Sequence, residues 1–328
     1  MVSYTPSEDP KYAFAVGRVR SREAKMLTRA FLERLIDSRD ENQILSALVD
    51  TPYGEARAED IETTLAFASK EEEEFFLRYL EDEKVYNYFR APSLTANLKF
   101  ALRRHYGADI DDALFVEMDS CSFEEYERML AGEKNNLPQW IIALAGEVIA
   151  ENYDNLEPAS IDYRIDKALI NYQSEQASGY SFLENLLLLK IDYTNLLVFL
   201  RLKLAGNEWE EVLERVFPNG SVDLDKFRVW WDLSPDAWVN EIAGVGIYSS
   251  LSDGLREVTE SFILLERLMK DAELEFLLST RRLTFGYEPL VGYVLIKREE
   301  RRNIRRVLAG LRYNLEPETI RKSIAWFD

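Results

Sequence analysis

Three stretches of this chain align on an asparagine, and that alignment limits the fold more than any single motif does. They are SLTANLKFALRRHYG around Asn97, IDYTNLLVFLRLKLAG around Asn195 and EERRNIRRVLAGLRYN around Asn303, spaced by 98 and 108 residues. Each asparagine is followed at the next position by Leu98, Leu196 or Ile304. Ala101, Phe199 and Val307 stand at the fourth position, and Leu102, Leu200 and Leu308 at the fifth. These offsets lay one apolar stripe along a helix. Three residues before the asparagine, the second and third copies carry Asp192 and Glu300, where the first has Leu94. Each stretch then stops, at Gly107, Gly206 or Asn314, and a shorter helical run follows: ADIDDALFV, NEWEEVLERVF or EPETIRKSIAWF.

Self-similarity at a long fixed spacing implies related structural units. The last residue lies 25 positions after Asn303, and the same offset from the other two asparagines puts boundaries near 122 and 220. The expected organisation is therefore three helical repeat domains, 1–122, 123–220 and 221–328. Only 14 glycines and 10 prolines interrupt 328 residues, which favours long helices. Met26, Leu27, Ala30, Phe31, Arg34 and Leu35 fit one face of an early helix. Asp40, with Gln43 three residues on, reads as the cap of the next. TPYGEARAED (51–60) reads as a turn with Glu59 and Asp60 placed to start a helix. Ser69 reads as a cap ahead of the glutamates 71–74, which would lie solvated against a positive helix end or offer a patch to a basic partner. The nearest approach to strand alternation is GVGIYSS (244–250). The fold class expected is all-α.

The charge balance sets the partners. With 59 carboxylates against 40 lysines and arginines, the formal net charge is −19. Such a field repels nucleic acid and favours basic protein surfaces. Cys121 is the single cysteine, so no intrachain disulfide forms. The first residues lack the order of a signal peptide. The most apolar stretch, 181–206, is broken by Glu184, Lys190, Asp192 and Arg201, so it does not read as a membrane span.

Against this acidic background, KREERRNIRRVLAG (297–310) is densely basic. Lys297, Arg298, Arg301, Arg302, Arg305, Arg306 and Arg312 face only Glu299 and Glu300 in sequence. Two readings stand. The block, Arg301 and Arg305 included, pairs with carboxylates of its own fold, or part of it docks an acidic partner. The same choice applies to Asn97, Asn195 and Asn303, flanked by Asp192 and Glu300. Beside a buried stripe they satisfy a neighbouring helix end or loop, or they contact a partner; an unsatisfied buried amide would cost about 1–3 kcal/mol.

Signals of chemistry are absent. There is no G-x-x-x-x-G-K-[ST], no G-x-S-x-G, and Ser249 breaks the G-x-G that Gly244 and Gly246 open. His105 is the only histidine, too few for HExxH or thiolate–histidine zinc sites. DIDDALF (109–115) falls short of an aspartate-rich diphosphate motif because Phe115 stands where Asp112 would need a partner. No catalytic residue, cofactor or metal ligand is assigned.

The C-terminal pattern FGYEPLVGYVLIKREERRNIRRVLAGLRYNLEPETIRKSI (285–324) resembles the family of C subunits from archaeal and bacterial V-type (A-type) ATPases, whose eukaryotic V-ATPase counterpart is the d subunit. Gly286, Glu288, Pro289, Tyr293, Glu300, Asn303, Arg305, Ile320 and Arg321 carry the likeness. YAFAVGRVRSREAKML, LSALVDTPYG and IDYTNLLVFLRLKLAG extend it over nearly the whole chain. Tyr287, Arg298 and Leu94 depart from the family's pattern. The resemblance implies three similar all-helical domains in a pseudo-threefold funnel, without catalytic activity. It implies a place on the cytoplasmic face of the membrane-embedded proteolipid ring, with the end of a central stalk of D and F subunits in the funnel. The function expected is torque coupling between stalk and ring for proton or sodium transport. A generic helical-repeat adaptor is the alternative, and an all-helical enzyme using paired carboxylates a third reading.

Overall fold

The computed structural model describes residues 4–38, 40–110, 115, 121–151 and 158–326. Among them are sixteen α-helices, several short 3-10 turns and no β-strand, so the chain is all-α. By packing it divides into two compact units: residues 1–81 with 180–328, and residues 82–179.

The larger unit begins with α1 (Ala13–Glu23), α2 (Arg29–Ile36), α3 (Glu41–Leu48) and α4 (Ile61–Tyr79). The smaller holds α5 (Glu83–His105), α6 (Phe123–Leu130), α7 (Gln139–Glu151) and α8 (Pro158–Ala177). The larger resumes with α9 (Ser181–Leu204), α10 (Trp209–Arg215), α11 (Leu224–Trp231), α12 (Pro235–Ala243) and α13 (Ser252–Glu257). It ends with α14 (Ile263–Leu278), α15 (Glu288–Arg312) and α16 (Pro317–Ser323).

Local caps explain where several helices start. Asp40 accepts the Gln43 N–H at 2.9 Å and begins α3 as its sequence suggests. Two expected starts are displaced. Thr28 accepts the Phe31 N–H, so α2 begins at Arg29, and Met26 and Leu27 lie before it. Asp60 accepts the Thr63 N–H at 2.7 Å, and one uninterrupted helix runs from there through Ser69 to Tyr79. Ser69 is an exposed mid-helix residue, and Glu72 is buried rather than solvated. GVGIYSS forms a 3-10 turn, Gly246–Leu251. The run ADIDDALFV falls mostly outside the described residues, Asp112 included.

The three asparagine-bearing stretches are the long helices α5, α9 and α15. They end alike. Gly107, Gly206 and Asn314 take left-handed φ values of 87°, 76° and 51°. Beyond them the N–H groups of Ala108, Asn207 and Leu315 reach back to the carbonyls of Arg103, Leu202 and Gly310 at 2.9–3.1 Å. This is the glycine-type stop that closes orphan helix carbonyls, with asparagine the tolerated substitute in the third copy.

In the smaller unit the apolar stripe of α5 (Leu94, Leu98, Ala101, Leu102) packs with Tyr126, Ile141, Val148 and Ile165 into one core. In the larger unit α15 is the spine. It is buried along most of its length, and α1, α2, α4, α14 and α16 all pack on it. The N-terminal helices thus complete a core that the C-terminal helix begins.

α14 packs against both α9 and α15, and Lys190 of α9 meets Lys270, Arg298, Arg302 and Glu273 from those two neighbours. Burial, helped by the three cations and opposed by Glu273, pushes the Lys190 ammonium down to about 8. Between that value and the ordinary lysine value of about 10.4, the unfolded chain holds a proton the folded chain has released. Folding stability therefore gains from Lys190 as pH rises above about 8. Denaturant unfolding at pH 8 and 9.5 should show that gain in the native chain, and Lys190→Met should lose it relative to the native chain.

Candidate functional site

Two of the repeat's asparagines are clasps. Asn195 donates through Nδ2 to the Phe217 carbonyl at 2.9 Å and accepts the Phe217 N–H on Oδ1 at 2.7 Å. Asn303 treats Ala325 in the same way, at 2.7 Å and 3.3 Å. In both, the clasped residue lies 22 positions further on. A single amide side chain thus satisfies both polar groups of one buried peptide residue and pins the segment after the short helix to the long one. Asn97 is also fully buried and hydrogen-bonds to Tyr126. The residue 22 positions after it lies outside the described residues.

The position three residues earlier is held by a buried tyrosine in every copy. Tyr126 donates its hydroxyl to the Leu94 carbonyl at 3.0 Å, and Tyr248 donates to the Asp192 carbonyl at 2.9 Å. Tyr53 donates to Glu300 Oε1 at 2.8 Å. Nothing in the asparagine alignment points to these tyrosines. The available signal is a second, out-of-phase likeness: Tyr53 and Tyr248 each sit in a 3-10 turn shortly after a short helix, in VDTPYGE and GVGIYSS.

The two carboxylates differ in what they hold. Asp192 accepts the Ser221 N–H at 2.8 Å and the Ser221 hydroxyl at 2.5 Å. A Cβ on Gly220 would stand 2.6 Å from Asp192 Oδ1, so glycine permits this approach. Burial raises the Asp192 carboxyl above its ordinary value, and the bonds from Ser221 and Val222 pull against it. Glu300 is 0 % exposed and reaches across the fold instead. Its Oε2 accepts the Leu27 N–H at 2.7 Å, and its Oε1 takes both the Tyr53 hydroxyl and the Lys297 ammonium. Burial, then the Glu300 charge, drives the Tyr53 phenol well above its ordinary pKa, so it stays a donor.

Around this centre six of the seven cations of the basic block pair with carboxylates of the same fold. Arg301 pairs with buried Glu72 of α4, and Lys297 lies 3.9 Å from the same carboxylate. Burial pushes Arg301 down to about 10, which still leaves it charged at neutral pH. Arg302 and Arg306 share Glu299 at 3.2 Å and 2.6 Å. Arg305 and Arg312 meet Glu62 and Glu41 on the surface at 3.0 Å and 2.6 Å. Among the described residues, no group of three or more His, Cys, Asp or Glu could hold a metal ion. The arrangement binds chain to chain, with its carboxylates engaged by N–H, hydroxyl or cationic partners.

Arg301 and Arg305 therefore differ sharply in weight. Arg301→Glu puts a second carboxylate against buried Glu72 and should cost about 3–5 kcal/mol or abolish folding. Arg305→Glu breaks one exposed pair and should cost no more than about 1 kcal/mol. Urea unfolding of both variants reads the difference. Asn303→Ala strands the N–H and C=O of Ala325 and should cost about 2–4 kcal/mol in the same measurement.

The comparisons with known proteins agree with this frame. The A-type ATP synthase C subunit of Thermococcus onnurineus is 26% identical over 347 residues, covering 98% of this chain and 90% of the relative. That of Thermococcus kodakarensis is 26% identical over 351 residues, covering 98% and 91%. That of Methanocaldococcus jannaschii is 24% identical over 347 residues, covering 94% and 85%. The family described as ATP synthase (C/AC39) subunit matches residues 15–323. That match takes in the three asparagine helices and the tyrosine and carboxylate contacts that hold them, and the chain belongs to this family, a non-catalytic subunit of a rotary ATP synthase complex.

Proposed function

We propose that this chain is the rotor subunit that joins the central stalk, made of the D and F subunits, to the membrane proteolipid ring. In this reading it lies on the cytoplasmic face of the membrane complex and carries torque for ATP-linked proton or sodium transport. Three repeats, 1–122, 123–220 and 221–328, would close into a funnel about a pseudo-threefold axis. The supporting observation is the weld between chain ends. Leu27 and Tyr53 are bonded to Glu300, Glu72 to Arg301, and the Ser7 N–H to Glu288 Oε1 at 2.6 Å. A coupling under torque needs a closed, stiff body, and dense packing with buried bonds between distant parts of the chain supplies stiffness. The matched asparagine and tyrosine clasps support the repeat. No helix among the described residues is long and apolar enough to cross a membrane, in keeping with a peripheral position.

The test is removal from the host complex. In detergent-solubilised membranes the tagged chain should bring down the stalk subunits and the proteolipid, identified by mass. Membranes lacking the chain should keep the ring but lose the stalk and ATP-driven ion pumping. A complex that stays assembled and coupled without this chain would overturn the reading.

A further inference from the structure

α1 and α4 both pack against α15, and the surface between them sinks into a trough. One part is a hollow of about 290 Å³ with Arg18, Arg22 and Lys25 on the α1 side and Phe67, Glu71 and Glu72 on α4. A second hollow of about 470 Å³ shares Lys25, Pro52 and Glu55 with the first and carries the trough on past Met26 and Phe31.

The charges of the trough differ from those of the basic block on α15. Its floor includes Tyr293 and Lys297, and Lys297 is bonded to Glu300 and Tyr53. On its walls Glu72 is paired with Arg301 and Arg22 is bonded to Tyr293. Among the described residues, Arg18 and Lys25 have no ion-pair partner on one side, and Glu55 and Glu71 have none on the other. Opposite signs thus face each other across a gap without bonding to each other. Among the lining residues the Phe67 ring of α4 is 41 % exposed.

We propose that this trough seats a short segment of a partner protein that carries a carboxylate towards Arg18 and Lys25 and a basic side chain towards Glu55 and Glu71. Charged pairs formed as such a segment displaces water are stronger than the same charges left solvated, and the two-sign arrangement fixes its direction. The exposed Phe67 ring among the charges favours a polypeptide over a small charged solute, which would leave it uncovered. The partner is sought within the rotary complex, so the proposal rests there on the rotor reading.

Membranes stripped of this chain provide the test, rebinding the purified full-length protein over a range of salt. Arg18→Glu combined with Lys25→Glu should weaken rebinding at least about tenfold at low salt and flatten its salt dependence, with unchanged circular dichroism. Lys226→Glu, an exposed charge on α11, should rebind like the native chain. A benzophenone amino acid in place of Phe67 should crosslink to a partner peptide bearing both signs of charge. Native-like rebinding by the double variant, an equal loss with Lys226→Glu, or a crosslink to a second copy of this chain would overturn the trough proposal alone. Failure of the native chain to rebind would overturn the rotor reading, and this proposal with it.

Discussion

Glu300 is the carboxylate on which the larger unit turns. It is fully buried, where an unmatched charge costs several kcal/mol, and it is tolerated because three donors from separated parts of the chain converge on it. The Leu27 N–H comes from the turn before α2, the Tyr53 hydroxyl from the turn after α3, and the Lys297 ammonium from one helical turn away on α15. A buried pair of this kind adds little net stability compared with a well-packed apolar core. Its effect is on placement: only one position of the N-terminal segment satisfies all the donors at once.

The rest of the basic block extends the same contact outwards with declining energy. Arg301 and Glu72 are buried beside Glu300, while Arg305–Glu62 and Arg312–Glu41 lie on the surface. Pairs of the last kind contribute about 0–1 kcal/mol each, so they orient α3 and α4 over α15 more than they hold them there. An acidic chain therefore has a physical use for a strongly basic C-terminal helix. Three of the carboxylates that pair with it, Glu41, Glu62 and Glu72, sit in the first 75 residues, and that pairing brings the chain's beginning to its end.

Two asparagine clasps and three buried tyrosine contacts serve the same end. In each, a polar side chain satisfies a buried backbone or carboxylate group that packing alone would leave stranded. The helices α9 and α15 use the same amide on a residue at the same distance along the chain, so related sequence here encodes related contacts. The trough between α1 and α4 stands apart, because Arg18, Lys25, Glu55 and Glu71 on its walls have no ion-pair partner among the described residues.

Much of this was written in the linear pattern. The apolar stripe after each asparagine, the Gly107, Gly206 and Asn314 stops and the Asp40 cap depend on neighbours within one or two helical turns, so periodicity and local chemistry reveal them. The merging of two expected helices into α4 was less legible, since burial of Glu72 against Arg301 outweighs the local cap that Ser69 offers. The roles of Tyr53, Tyr248 and Leu27 could not be read in advance, nor could the split between buried Arg301 and exposed Arg305. Those depend on which groups meet across 56 residues for Tyr248 and more than 200 for the others, and a sequence records spacing along the chain rather than proximity in space. By itself the sequence determined helical class, the recurring asparagine-bearing helices and family likeness; only tertiary packing decided which charges are paired inside the fold and which stand unpaired at its surface.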